Sequence, residues 1–77
     1  MNQFHSLISN FKEGDIIYGF YYCNDKNIKY SKNGDKYLDI QLSDNKSSIY
    51  GKVWNHVEHF NLKFNSDMII AVKGRII

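Results

Sequence analysis

The chain has no proline, a single cysteine, five glycines and almost no net charge. The missing proline, in a sequence so rich in strand-forming residues, assigns no function by itself. The lone Cys23 excludes an intramolecular disulfide and fits a reducing, cytoplasmic setting. No apolar run approaches the roughly 18 to 20 residues of a membrane-spanning helix, and no signal-peptide pattern opens the sequence. A formal charge of +2 falls short of a strongly basic nucleic-acid binder, so electrostatic attraction must come from local clustering. Gly-rich phosphate loops and nucleophile–base arrangements are also lacking.

Aromatic residues are abundant: they make up 16% of the chain, and six are tyrosine, whose flat face and polar tip suit a half-wet surface. Seventy-seven residues make one small domain, and 43% hydrophobic content is that of an ordinary globular chain. The expected organisation is a short helix or loose arm over residues 1–10, followed by one domain over residues 11–77.

The most ordered pattern runs from Ser31 to Trp54. Two alternating strands are bracketed by polar turns at Asn33-Gly34 and Asp44-Asn45-Lys46-Ser47. Leu38, Ile40, Leu42, Ile49 and Val53 fall on one face. Tyr37, Asp39, Gln41, Tyr50, Lys52 and Trp54 fall on the other. An earlier strand spans Ile16 to Cys23, with Ile17, Tyr21 and Cys23 inward and Phe20 and Tyr22 on the aromatic face. Gly19 is expected to mark a bulge or bend in that strand. Asn24 to Asp35 reads as a polar connection carrying Lys26, Lys29 and Lys32, with Lys36 just after it. Asn55 is expected to cap a short helix anchored by Val57, Phe60 and Phe64. A last strand starts at Met68.

The order strand, strand, strand, short helix, strand is that of the first four strands of an OB-fold, a five-stranded Greek-key barrel with a helix between strands three and four. The expected fold is therefore all-β: an OB-fold truncated before its fifth strand, in a fragment of a longer protein.

Several segments carry a family resemblance. They are Phe11-Lys12-Glu13-Gly14-Asp15, Gly19-Phe20-Tyr21, Ser31-Lys32-Asn33-Gly34, Tyr37 to Asp44, Ile49-Tyr50-Gly51-Lys52-Val53-Trp54 and Val72-Lys73-Gly74. Together they resemble the N-terminal OB domain of the bacterial HD-domain 3′-to-5′ exoribonucleases (the YhaM, or CMP-binding-factor, family). More broadly the pattern is similar to the anticodon-binding class of OB domains. The resemblance implies base stacking at Tyr37 and a base contact at Tyr50. It also implies a parent enzyme whose catalytic domain lies outside these residues. One turn departs from the pattern: Ser47-Ser48 stands where a glycine is expected.

The expected function is binding of single-stranded RNA or DNA. Tyr37, Tyr50 and Trp54 would stack on bases, with Phe20 and Tyr22 behind them, and Tyr37 and Tyr50 carrying more of this expectation than Trp54. Lys52, Lys29, Lys32 and Lys36 would meet phosphate. No cofactor and no metal site are expected: His56 and His59 lack the spacing of a metal motif and a third ligand. Asp44 is expected to stabilise its own turn. The competing reading is a protein-interaction or oligomerisation domain, with a homodimer formed through an open sheet edge.

Overall fold

The computed structural model describes residues 7–77; the expected arm lies mostly outside the described residues. From Leu7 the chain makes a 3-10 turn, Ile8–Asn10, whose Ile8 is buried in the core. Then follow β1 (Ile16–Tyr30), β2 (Lys36–Ser43), β3 (Ser48–Val53), α1 (Val57–Lys63) and β4 (Met68–Arg75). The four strands form one antiparallel sheet in the order β3-β2-β1-β4. It is all-β apart from the short helix, and it does not close: β3 and β4 remain its edges. Among the described residues, no helix is long and apolar enough to cross a membrane.

β1 organises the sheet. Its first half pairs with β4, from Ile16 opposite Arg75 to Cys23 opposite Met68. Its second half pairs with β2, from Tyr22 opposite Ser43 to Tyr30 opposite Lys36. Alternation places Ile17, Tyr21 and Cys23 inward, where they are buried with Leu38, Ile40, Leu42 and Val57. Phe11 packs edge-on against Tyr21, its ring centroid 6.0 Å away. Phe60 and Phe64 of the helical segment cover the same core.

Three details differ from the sequence-based expectation. The ladder irregularity lies between Cys23 and Asp25, not at Gly19, which pairs regularly with Val72. The extra residue Asn24 lets one strand serve two neighbours, since a bulge bends the strand and increases its twist. The polar stretch after Cys23 is not a loop: it continues β1 as far as Tyr30, because its backbone groups are paired along β2 despite its polarity. The residue before α1 is His56, in a left-handed conformation (φ 55°), rather than a capping Asn55, and it makes no side-chain capping bond. Its carbonyl accepts the first helical bond, from Phe60 N at 3.0 Å.

The turns are as polar as the sequence implies. Gly34, at φ 86°, closes the β1–β2 connection and donates to the Ser31 carbonyl at 2.9 Å. In the β2–β3 turn, the Asp44 carboxylate accepts from Lys46 N and Ser47 N, both at 2.9 Å. Its other oxygen accepts from Ile8 N at 2.8 Å, so the same aspartate pins the N-terminal turn to the sheet.

Candidate nucleic-acid interface

The outer face of β2 and β3 carries most of the residues that the sequence offers as a candidate site. Cross-strand pairing sets Gln41 beside Tyr50 and Asp39 beside Lys52. Trp54, one residue past β3, continues the same face next to Tyr37. The Tyr37 and Trp54 rings lie 4.7 Å apart, tilted by 40°. The Lys52 ammonium sits 5.2 Å from the Tyr37 ring centroid and 6.0 Å from that of Trp54. Such an arrangement contributes about 0.5–1 kcal/mol at an exposed site. It holds the three side chains in one cluster.

The aromatic members differ in what they offer. Tyr50 is 70% exposed and Trp54 48% exposed, so both leave ring faces open to solvent. Tyr37 is half-buried, flanked by Trp54 and Lys52, and acts as a support for them. Tyr50, Lys52 and Trp54 alternate along one chain segment, a spacing of about 7 Å between successive outward side chains.

The remaining expected residues are dispersed. Phe20 and Tyr22 are exposed, but Tyr22 pairs with Ser43, six residues along β2 from Tyr37, or about 20 Å at strand rise. Tyr22 donates its hydroxyl to the Asp67 carboxylate at 2.6 Å. That bond, then desolvation, then the nearby negative charge raise the phenol pKa above its ordinary value.

The lysine cluster resolves into separate roles. Lys26 donates its ammonium to the Asn61 carbonyl at 2.6 Å and to the Phe64 carbonyl, closing the C-terminal end of α1. Lys29 pairs with Asp39 at 2.8 Å, and that hydrogen bond raises its pKa. Lys36 pairs with Glu58. Lys32, in the exposed β1–β2 turn, makes no ion pair among the described residues. Of the four lysines, Lys29 and Lys36 are ion-paired and Lys26 is held by backbone carbonyls, because β1 carries Lys26 and Lys29 into the reach of α1 and β2.

His56 stands at the start of α1, and the His59 ring meets Phe60 edge-on at 5.2 Å. Among the described residues, no three His, Cys, Asp or Glu side chains are grouped to hold a metal. Cys23 is fully buried, and desolvation raises its thiol pKa, which suits a packing role over a reactive one. Sequence reasoning missed the Asp39–Lys29 pair and the Lys26 cap. The first was visible only once Asn27 was known to pair with Asp39 in a continued strand.

Compared with protein-family models, curated proteins and solved structures, the chain matches none.

Proposed function

We propose that the chain is a single-stranded nucleic-acid-binding module of the OB type, taking RNA on the outer face of β2 and β3. The observation that carries this reading is the cluster of Tyr37, Lys52 and Trp54 beside the exposed Tyr50. A wet sheet face seldom gains by exposing large aromatic rings. Stacking on bases gives them a use, at about 1–3 kcal/mol per base and with little sequence preference. The element order, with a long β1 shared between β2 and β4 and a helix before β4, supports an OB barrel lacking one strand. In the setting that the resemblance implies, the module would hold a strand for the catalytic domain of a 3′-to-5′ exoribonuclease and perform no chemistry itself.

In this mechanism Tyr50 and Trp54 each receive a base. Tyr37 keeps the indole tilted outward. Lys52 leaves the ring face as a base arrives and turns to the adjoining phosphate. Trp54 is the only tryptophan, so its emission reports directly on the site. Titration with a 12-nucleotide single-stranded RNA should quench that emission, whereas the same RNA in a duplex should not. Unchanged emission and no binding by an independent method would remove the reading.

A further inference from the structure

Stacking alone leaves base identity open, but the neighbours of Tyr50 narrow it. We infer that Gln41 reads the base held on Tyr50, and that this position favours cytosine over uracil. This preference rests on the proposed single-strand binding and adds discrimination at one position of the same site.

Two ladders fix a row of side chains across the outer face. Gln41 pairs with Tyr50 of β3 on one side and with Asp25 of β1 on the other, and residues paired across a ladder share a face. The row is therefore Asp25, Gln41, Tyr50, with Cβ atoms about 4.5–5.5 Å apart at each step. Gln41 is half-buried, and its side chain makes no hydrogen bond among the described residues. Its amide has a donor and an acceptor to offer beside an exposed ring.

The route of the strand decides which edge of the base meets that amide. Lys52 lies between Tyr50 and Trp54, so a phosphate backbone that meets it runs along β3. β3 is an edge of the sheet, with β2 on one side only. A base lying on the Tyr50 ring then turns the edge remote from its sugar toward β2, where Gln41 stands. In a pyrimidine that edge carries an amino donor in cytosine and a carbonyl acceptor in uracil, as in thymine.

Charge sets the direction of the amide. The Asp25 carboxylate accepts from Lys26 N at 2.9 Å and from Asn27 Nδ2 at 3.1 Å, and forms no ion pair among the described residues. Asp39, next along β2, is neutralised by Lys29 at 2.8 Å, so Asp25 supplies the net charge beside Gln41. An ionised carboxylate accepts and does not donate, so it draws the amide nitrogen and leaves the amide oxygen toward Tyr50. That oxygen accepts from the cytosine amino group. Against uracil it would face a second carbonyl, and turning the amide round would set its oxygen against Asp25. Discrimination of this kind comes as much from the mismatch as from the match.

Oligocytidylate and oligouridylate RNAs of 12 nucleotides carry equal charge and the same ring size, so comparing them isolates this contact from stacking and phosphate binding. Anisotropy at neutral pH and one fixed salt concentration should show a preference of about fivefold for oligocytidylate, as one net hydrogen bond gives. Gln41→Leu should bring the two to parity, mainly by weakening oligocytidylate. Gln41→Glu keeps an acceptor at that place and should keep the preference, although its charge lowers affinity for both. Asp25→Asn removes the orienting charge and should reduce the preference. Equal binding of both oligomers by the parent, a preference that survives Gln41→Leu, or its loss in a folded Gln41→Glu would each overturn the proposal while leaving single-strand binding intact. Binding of neither oligomer would remove the nucleic-acid reading and the preference with it. Circular dichroism matching the parent separates a lost contact from lost folding in each variant.

Discussion

At the scale of single residues, the proposed site divides into the exposed rings of Tyr50 and Trp54, which would receive bases, and the half-buried Tyr37, which supports Trp54. Tyr50→Ala and Trp54→Ala should each weaken single-strand binding by about 1–3 kcal/mol, read by anisotropy of a labelled oligonucleotide. Tyr37→Ala should weaken it too, but with a shift in Trp54 emission already present in the free protein, because Tyr37 flanks the indole. A second residue-scale prediction concerns alkaline pH. Tyr22 and Lys29 both have raised folded pKa values, through Asp67 and Asp39 respectively. Groups shifted upward stabilise the fold fully below their unfolded pKa values and lose that contribution as pH rises through the folded ones. The melting temperature should therefore fall from about pH 10 upward, where Tyr and Lys ordinarily titrate. Tyr22→Phe should make that fall shallower; an unchanged slope would show that Tyr22 contributes nothing to it.

At the scale of elements, the long β1 is the feature on which the site depends. Leu38, Ile40 and Leu42 were legible as core because strict alternation leaves little choice once one face is buried. Ile17, Tyr21 and Cys23 were legible for the same reason. The run from Asn24 to Tyr30 was not, since Asn, Asp and Lys are poor strand formers and its strand character comes from pairing with β2. The lysines were misplaced as a consequence: which partner a lysine finds depends on tertiary reach, to which composition is blind. Lys26 is the clearest case, because its cap on Asn61 and Phe64 bridges 35 and 38 residues of sequence. Lys26→Met should keep the aliphatic stem but leave those carbonyls without a charged donor. The expected destabilisation is about 1.5–3 kcal/mol in urea unfolding, with loss of helical signal before the sheet melts. Coincident loss of both at wild-type stability would mean that the cap is idle.

At the scale of the whole molecule, the balance of forces at the interface follows from how the charges are spent. With Lys26, Lys29 and Lys36 engaged internally, the proposed phosphate contacts fall to Lys52, beside the aromatic cluster, and Lys32, in the exposed β1–β2 turn. Two phosphate contacts on a single strand give a slope of about −1.4 for log K against log salt concentration. A slope several times steeper would mean that the internal pairs open on binding and that electrostatics, not stacking, dominates. The abundance of tyrosine pointed toward a stacking surface, but only the cross-strand register showed which rings share a patch, with Tyr37 and Trp54 at one end of β2 and Tyr22 opposite Ser43 at the other, about 20 Å from Tyr37 at strand rise. That separation supplies an internal control. The most direct test compares the Tyr50→Ala, Trp54→Ala double variant with Phe20→Ser on the same sheet face, using anisotropy of a 12-nucleotide single-stranded RNA. The account predicts at least a ~30-fold loss of affinity for the double variant, about 2 kcal/mol, and near-parental affinity for Phe20→Ser. Equal affinity of the double variant and the parent, or a loss confined to Phe20→Ser, would contradict it.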